Sequence, residues 1–285
     1  MSNAAPAAET YLLGHHPSIV AIHARRTVET AAAFILPFLK PGMRLLDVGC
    51  GPGTVTSGFA QRVAPGETIG IDPSADVIAT AKSLATGTTA GTTAGTTAGT
   101  TTRNLSFEVG SVYQPRFAAG TFDAVFSHQV MQHLRHPVDA LRQMRALLAP
   151  GGVLGVRVVD WGSAIFCPES EGTRRYLALQ FDLARRNGAE PNAGRHLRRW
   201  LREAGFGETR LTTSTESDAD AHAIRERVEM FVERILRSSL ADRALECGIA
   251  TRSDLESIAA AWRAWGRDPD AFFCFSHVEV VAWKR

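Results

Sequence analysis

The residues with the clearest capacity for chemistry in this chain stand at alternate positions of one short segment. An apolar run that begins at Leu45 ends in Asp47, and three glycines follow at every second position, Gly49, Gly51 and Gly53. The residues after them read as a helix. A strand, a tight glycine turn and a helix let a nucleotide-like ligand approach the backbone, because a Cβ would block that approach and the turn needs φ values that other residues resist. The segment therefore indicates a ligand-binding turn.

A second acid supports this interpretation of the turn. The run from Glu67 ends in Asp72, which follows Gly53 by 19 residues. An acid at the tip of a second strand is well placed to accept hydrogen bonds from both hydroxyls of a ribose. The alternative is an ordinary tight turn between a strand and a helix, with no ligand.

The glycine pattern differs from the dinucleotide-binding one. It reads D-x-G-x-G-x-G instead of G-x-G-x-x-G, and it resembles motif I of the class I S-adenosylmethionine-dependent methyltransferases. Further segments fit this resemblance: Asp72-Pro73 at the ribose-binding acid, Phe122-Asp123 at motif IV, and an L-x-P-G-G turn at 148–152. That turn is typical of a small-molecule branch similar to the ubiquinone and menaquinone C-methyltransferases. The resemblance covers about residues 11 to 215, and the remainder only in outline.

The resemblance implies that the cofactor is S-adenosylmethionine, and it assigns residues to each part of that molecule. Asp47 and the three glycines would hold the methionine part, and Asp72 with Pro73 would hold the ribose. Ser111 and Val112 would flank the adenine, and Ser127 is placed with the same set. The family usually has an acid at the Ser111 position, and a serine hydroxyl accepts a hydrogen bond more weakly than a carboxylate does.

Two histidines are the candidates for catalysis. Methyl transfer from a sulfonium is an in-line displacement, so catalysis comes mostly from positioning the two partners and excluding water. If the acceptor must lose a proton, a histidine is the natural base near neutral pH. His128 and His133 follow the predicted fourth strand, which neighbours the first and so lies near the cofactor. The alternative for each is a histidine at the surface or at a helix start, with no role.

The acceptor pocket is expected to draw on two segments. Asp160 and Trp161 stand at the mouth of the predicted fifth strand, although Trp161 is equally compatible with packing. In many small-molecule methyltransferases an N-terminal segment folds over cofactor and substrate as a lid. By that resemblance, Tyr11, His16 and Arg26 become candidate substrate contacts. The alternative is that they lie on the polar side of a surface helix.

The expected fold class is α/β. It is a Rossmann-like class I methyltransferase sheet of seven strands in the order 3-2-1-4-5-7-6, with helices on both faces and a helical cap. Residues 1–40 would form the lid and a helix from Pro17 to Ile35, and residues 41–285 the methyltransferase domain. The Gly-Thr-Thr-Ala repeat at 86–102 reads as a flexible surface insertion. Other expected elements are a fifth strand at 153–159, helices at about 218–240 and 252–265 within a helical insertion at 218–266, and a last strand at 271–284.

Composition narrows the expected partners and compartment. The net charge of +2 gives no support to nucleic-acid binding. The spacing of four arginines places them on one side of a predicted helix, which reads as a solvated face: Arg195, Arg198, Arg199 and Arg202. Four cysteines without C-x-x-C spacing indicate neither a zinc site nor a disulfide framework, and no metal site is expected. No apolar run has the length of a membrane span, and the N-terminus does not resemble a signal peptide. A cytoplasmic protein with no membrane partner is expected, and its oligomeric state stays open.

The most direct interpretation is methyl transfer from S-adenosylmethionine to a small-molecule acceptor. One alternative is a nicotinamide-dependent oxidoreductase, which also uses a glycine turn and a ribose-binding acid; the D-x-G-x-G-x-G form disfavours it. Another is a non-catalytic cofactor-binding protein on the same fold, since fold alone does not fix function. Methylation of nucleic acid is disfavoured, because no N-P-P-Y type motif follows the fourth strand and no basic tract with interleaved aromatic residues occurs.

Overall fold

Seven strands form one sheet in the order β3-β2-β1-β4-β5-β7-β6, as predicted. The computed structural model describes residues 23–87 and 103–285. Strands β1 to β5 run parallel, and β7 lies antiparallel between β5 and β6. The strands are β1 Leu45–Val48, β2 Thr68–Asp72, β3 Leu105–Val109, β4 Phe122–His128, β5 Leu148–Cys167, β6 Glu208–Asp218 and β7 Phe272–Trp283. The predicted α/β class and strand order are therefore confirmed.

Helices follow the strands at the positions that local sequence favours. Ser74 begins α3 because its side chain accepts a hydrogen bond from the Val77 amide, and Ser170 begins α5 with a capping box. The helices are α1 Val28–Ala32, α2 Thr54–Val63, α3 Ala75–Ala85, α4 Pro137–Leu147, α5 Glu171–Arg186, α6 Ala193–Glu203, α7 Ala221–Arg237, α8 Ser239–Glu246 and α9 Arg252–Trp265. Short 3-10 turns cover Leu36–Phe38 and Met131–His133.

Helices cover both faces of the sheet, because neighbouring strand residues point to opposite sides. All of β1 is buried. Leu45 packs with Ile35 and Phe59 on the side of α1 and α2. Leu46 packs with Leu141 and Leu197 on the side of α4 and α6. The central strands therefore read as continuous apolar runs, and their carboxyl ends are free to carry polar side chains.

The cap is built on an extension of β5 and β7. These two strands pair antiparallel from Val153 with Trp283 to Cys167 with Phe272, with an irregularity between Asp160 and Ile165. Their far ends join a separate apolar cluster with α5, α7, α8 and α9, whose largest buried side chains are Phe273, Tyr176, Phe231 and Trp262. The cap therefore stands beyond the end of the parallel strands and borders the site.

The N-terminal helix differs from the prediction. A single helix from Pro17 to Ile35 was expected, whereas residues 24–27 are not helical and α1 begins at Val28. Thr27 is extended at φ −116° and ψ 167°, and its side chain accepts a hydrogen bond from the Thr30 amide. A threonine whose side chain accepts a hydrogen bond from a following backbone amide favours the start of a helix over its interior. Tyr11, His16 and most of the repeat insertion lie outside the described residues.

Two further elements have bounds that differ from those predicted. Strand β5 starts at Leu148, includes the predicted L-x-P-G-G turn and continues to Cys167, because β7 pairs along this length. The helix expected at 218–240 is two helices, since Ser238 is extended and its side chain caps α8 at the Leu240 amide. Among the helices of the described segments, none is long and apolar enough to cross a membrane.

Candidate active site

The three glycines of the turn after β1 differ in what surrounds them. Their φ angles are +72° at Gly49, +55° at Gly51 and +79° at Gly53, in the region that favours glycine. A Cβ on Gly49 would collide with the side chain of Val130, and one on Gly53 would meet the Phe107 ring. A Cβ on Gly51 would meet nothing within 4 Å. The outer glycines thus allow internal packing, and the middle one faces open space into which a ligand can come.

Asp72 joins the second strand to this turn. One carboxylate oxygen accepts a hydrogen bond from the Gly51 amide at 3.3 Å, and the other accepts one from the Ser74 amide at 3.0 Å. The side chain is 8% exposed. A carboxylate oxygen can accept more than one hydrogen bond, and the oxygen that meets the Gly51 amide lies beside the open space there. Pro73, next to it, is exposed.

Asp47 lies beneath the turn, almost fully buried, and accepts a hydrogen bond from the Thr56 hydroxyl at 2.6 Å. Burial raises the pKa of Asp47 to about 7; the Thr56 hydrogen bond lowers it and the charge of Asp72 raises it further. The carboxyl group therefore changes its charge near neutral pH. A cation bound at this turn would favour the ionised form.

The other predicted cofactor residues have local partners. The Ser111 hydroxyl accepts a hydrogen bond from the Tyr113 amide at 3.3 Å, and Val112 is buried in the core. Ser127 is buried, and its hydroxyl donates to the Val48 carbonyl at 3.2 Å, which links β4 to β1. Ser111 and Val112 stand just beyond β3, and Ser127 supports the β1 end from within.

A polar cluster begins where β4 ends, and we call it the β4 cluster: Arg26, His128, Gln129, Arg157 and His277. Arg157 contacts His128 Nε2 with Nη1 at 2.9 Å and His277 Nδ1 with Nη2 at 3.0 Å. Because a guanidinium only donates, His128 Nε2 is an acceptor and the proton of that ring is on Nδ1. His277 faces a donor at each nitrogen, Arg157 at Nδ1 and Gln129 at Nε2, and a neutral imidazole accepts from one of them at a time. Arg26 Nη2 donates to Gln129 Oε1 at 3.2 Å, and Gln129 Nε2 lies 2.8 Å from His277 Nε2. The cluster is therefore rich in proton donors.

The backbone of Gln129 is unusual. Its φ is +53°, and among residues 23–87 and 103–285 it alone of the non-glycine residues has a positive φ. Such a conformation costs of order 1 kcal/mol and persists where surrounding contacts fix it. Here the side chain lies between Arg26 and His277, and the next residue, Val130, packs against Gly49. The β4 cluster is thereby held directly against the glycine turn.

The histidines of this region are held neutral. Burial, followed by the charges of Arg26 and Arg157, lowers the pKa of His128 well below its usual value. Burial and then Arg234 and Arg26 lower the pKa of His133 to about 4. The two imidazoles carry no charge at neutral pH, and the free lone pair of His128 is already used by Arg157. That contact weighs against His128 as a base, and His133 stays the stronger candidate of the two.

The described acceptor candidates divide into two groups. Arg26 reaches the β4 cluster, and its carbonyl accepts a hydrogen bond from the Thr54 hydroxyl at 2.7 Å, at the start of α2. Asp160 instead binds Arg195 through both carboxylate oxygens, at 3.0 and 2.6 Å. Trp161 stacks on Phe275 at 5.3 Å. Both lie within the paired length of β5 and not beyond its end, so their contacts are those of packing and of an ion pair.

Sequence reasoning missed the buried charged and polar residues of this region that come from β5, β7 and α7. Arg157 and His277 are buried in apolar strands, and Arg157 forms an ion pair with Glu279 at 3.1 Å. Arg234 is buried in α7. The available signal was a charged side chain in the middle of a buried strand, which is rare without a partner or a role. The four arginines 195, 198, 199 and 202 are exposed, as predicted.

Comparisons with known proteins agree with this geometry. A family model described as a methyltransferase domain matches residues 20–209. An uncharacterized methyltransferase of Schizosaccharomyces pombe is 34% identical over 278 residues, which cover 96% of each chain. "Probable methyltransferase ltbC" of Aspergillus luteorubrus is 30% identical over 295 residues, covering 96% of this chain and 97% of its own.

Solved structures share the fold at low sequence identity. The YcgJ protein of Bacillus subtilis superposes with a TM-score of 0.54 at 15% identity, covering 95% of this chain and 99% of its own. The [4+2]-cyclase SpnF superposes with a TM-score of 0.55 at 19% identity, covering 94% and 92%. The match to the family model favours methyl transfer over the nicotinamide alternative. The chain belongs to the methyltransferase family, and its cofactor is S-adenosylmethionine.

Proposed function

We propose that the protein transfers the methyl group of S-adenosylmethionine to a small-molecule acceptor held between the β4 cluster and the cap. The observation that carries the proposal is the contact of Val130 with Gly49. It brings the segment after β4 against the glycine turn, so that a cofactor at the turn and an acceptor at the β4 cluster would be neighbours. Ligands of open α/β sheets bind outside the carboxyl ends of the strands, which is where both features lie.

The residues of the turn fit the cofactor. The open space at Gly51 admits a ligand to the backbone, and the Asp72 carboxylate beside it would accept hydrogen bonds from the ribose hydroxyls. Asp47, with a pKa of about 7, would be ionised by a cationic ligand. We assign the methionine part to Asp47, Gly49, Gly51 and Gly53. The ribose goes to Asp72 and Pro73, and the adenine to Ser111 and Val112, while Ser127 fixes the strand behind them.

The protein's own contribution to the reaction is positioning and exclusion of water. S-adenosylmethionine supplies an electrophilic methyl group on a sulfonium, and an in-line displacement needs no covalent help. His128 would donate through its Nδ1–H to orient the acceptor, because its Nε2 accepts from Arg157. His133 is neutral and would take a proton from an acceptor that must lose one, although a pKa of about 4 makes it a weak base.

The cap favours an acceptor of limited size. The cluster residues are buried or half-buried: Arg157 is 7% and His277 0% exposed. Helices α5, α7 and α9 stand over the strand ends on a shared aromatic core. An acceptor under this cap would have to be enclosed, which suits a metabolite better than a nucleic acid. We further propose cytoplasmic action, in keeping with four free cysteines.

Calorimetric titration tests the cofactor half of the proposal. S-adenosylmethionine and its demethylated product should bind the wild type, and NADH should not. Asp72→Ala should weaken both by about 100-fold, because two hydrogen bonds to a carboxylate are lost. Asp76→Ala is the matched control: this acid is exposed in the first turn of α3 and should leave binding unchanged.

Transfer itself is then measured with labelled methyl donor against a panel of small-molecule acceptors. Unchanged cofactor binding by Asp72→Ala would contradict the assigned site. Label found only in protein or nucleic acid, with no labelled small molecule, would contradict the proposed acceptor class.

A further inference from the structure

Helix α7 carries two buried or nearly buried arginines on one face, and within the described part of the chain only one of them has acidic partners. Arg227 and Arg234 are seven positions apart, about two helical turns. Arg227 forms ion pairs with Asp218 at 2.5 Å and Glu216 at 2.7 Å. Arg234 is 6% exposed, and among the residues that the structure describes it has no ion-pair partner; its Nε has no hydrogen-bond acceptor.

An unpaired guanidinium in this place needs a physical reason. Arginine does not lose its proton in proteins, so it cannot become neutral as a buried lysine can. A buried charge without a counter-charge is strongly unfavourable, and an apolar side chain of similar length would fill the same volume without that penalty. The arginine is therefore explained if its counter-charge arrives with a ligand.

The surroundings of Arg234 supply further donors. On α5, Gln180 Nε2 donates to the Tyr176 hydroxyl, which leaves the hydroxyl hydrogen to donate elsewhere. Burial raises the pKa of Tyr176, and the charge of Arg234 and its hydrogen bond to the phenol oxygen oppose that rise. Tyr176 is fully buried. Arg234 and the Tyr176 hydroxyl are thus neighbours that both have a hydrogen to give.

The same guanidinium acts on the site below the cap. The charges of Arg234 and Arg26 both lower the pKa of His133, so each guanidinium is near enough to this imidazole for its charge to act on it. Because α7 belongs to the cap, Arg234 approaches the proposed acceptor position from the cap side. Its unpaired Nε, together with Tyr176, forms a donor site there that no acid of the described chain fills.

We propose that Arg234 and Tyr176 bind a carboxylate group of the methyl acceptor. This inference rests on the proposed function and specifies its substrate class. The planar guanidinium matches the two oxygens of a carboxylate, and the single charge of a carboxylate balances the single unpaired charge of Arg234. The acceptor is then an organic acid whose carboxylate contacts the cap while its nucleophile faces the β4 cluster.

Thermal unfolding without ligand tests whether Arg234 contributes to the stability of the folded protein or only to ligand binding. Arg234→Met removes an uncompensated charge and retains an apolar stem, so Tm should stay the same or rise. Arg227→Met is the matched variant on the same helix face, and it should lower Tm by roughly 10 °C because it leaves two acids unpaired. An equal fall of Tm in Arg234→Met would overturn the proposal, since Arg234 would then have a structural partner.

Binding is tested with acetate and benzoate, and with acetamide and benzamide as uncharged counterparts. The protein is first saturated with S-adenosylhomocysteine. At least one of the two carboxylates should raise the Tm of the wild type, and its amide should not. The shift should vanish in Arg234→Met and persist in Arg237→Met, an exposed arginine near the end of the same helix.

The outcomes separate this inference from the proposed function. Calorimetry should show unchanged binding of S-adenosylhomocysteine in Arg234→Met, and failure of the wild type to bind it would contradict the cofactor site instead. A carboxylate shift that survives in Arg234→Met, or no shift with either carboxylate, would overturn the inference. A shift with inorganic phosphate alone would overturn the assignment of a carboxylate.

Discussion

Arg157 Nη1 lies 2.9 Å from His128 Nε2, and this contact fixes which nitrogen of the histidine carries the proton. Because the guanidinium donates, Nε2 accepts and Nδ1 is protonated. Arg157 is in turn paired with Glu279 at 3.1 Å, with side-chain exposures of 8% and 13%. The buried ion pair of Arg157 on β5 and Glu279 on β7 thus determines that His128, at the end of β4, donates through Nδ1.

Arg157→Gln should destabilise the protein and raise the pKa of His128. It leaves the Glu279 carboxylate buried without its partner, which costs about 3–5 kcal/mol. It also removes one of the charges that lower the His128 pKa. Urea unfolding gives the first quantity and an NMR titration of the His128 ring gives the second. Arg157→Gln combined with Glu279→Gln should recover much of the stability, and a double variant no more stable than the single one would contradict the pairing.

Gly51→Ala should abolish cofactor binding with only a small loss of stability. The new Cβ meets no protein atom within 4 Å, so the change adds a backbone cost of about 1 kcal/mol and fills the open space of the turn. Gly42→Ala is a matched control, since Gly42 has φ +89° and equally free surroundings outside the turn. Calorimetry with S-adenosylmethionine should show loss in the first variant alone. Equal affinity in both would place the cofactor elsewhere.

Asp47→Asn should stabilise the protein at pH 8 and weaken cofactor binding there. The folded pKa of Asp47 is about 7, above the unfolded value near 3.8, so its contribution is favourable at low pH and is lost as pH rises through 7. At pH 8 the buried charge costs up to about 4 kcal/mol. Because the loss begins above the unfolded pKa, urea unfolding should show a smaller gain in the asparagine variant at pH 5, about 2 kcal/mol, than at pH 8, about 4 kcal/mol.

The same variant changes the pH dependence of binding. A cationic cofactor favours ionised Asp47, so wild-type affinity for S-adenosylmethionine should rise between pH 6 and 8. Asp47→Asn should show a flat profile over this range. A flat wild-type profile would indicate that Asp47 does not sense the cofactor charge.

Sequence alone was sufficient for the sheet and for the local geometry of the glycine turn, which we assign to the cofactor. The reason is that Asp47, the three glycines and Asp72 are set by local patterns of strand, turn and helix. Helical periodicity was less reliable in the N-terminal segment. The apolar spacing there predicted one continuous helix, whereas the Thr27 cap starts a helix at Val28. The extent of β5 was also missed, because β7 determines it and is distant in sequence.

The acceptor half could not be predicted in the same way. Arg157, His277 and Arg234 come from β5, β7 and α7, and a single charged residue in an apolar segment does not reveal which distant residue faces it. Asp160 and Trp161 were selected because they followed a predicted strand end that is in fact interior to β5. Such sites depend on tertiary pairing, whereas the glycine turn depends on adjacent residues.

Two substitutions of Gln129 can distinguish the cost of its backbone conformation from the contribution of its side chain. Gln129→Ala and Gln129→Gly both remove the bridge between Arg26 and His277, so both should lower kcat/KM by a similar factor, about tenfold for the lost hydrogen bonds. At φ +53° the glycine variant should be more stable than the alanine variant by about 1 kcal/mol. Urea unfolding measures this difference and a labelled-methyl assay measures the activity. Equal stability of the two variants would mean that the backbone leaves the left-handed region once the side-chain contacts are removed, so that those contacts hold the strain. Unchanged activity in both variants would mean that Gln129 has no part in the acceptor site.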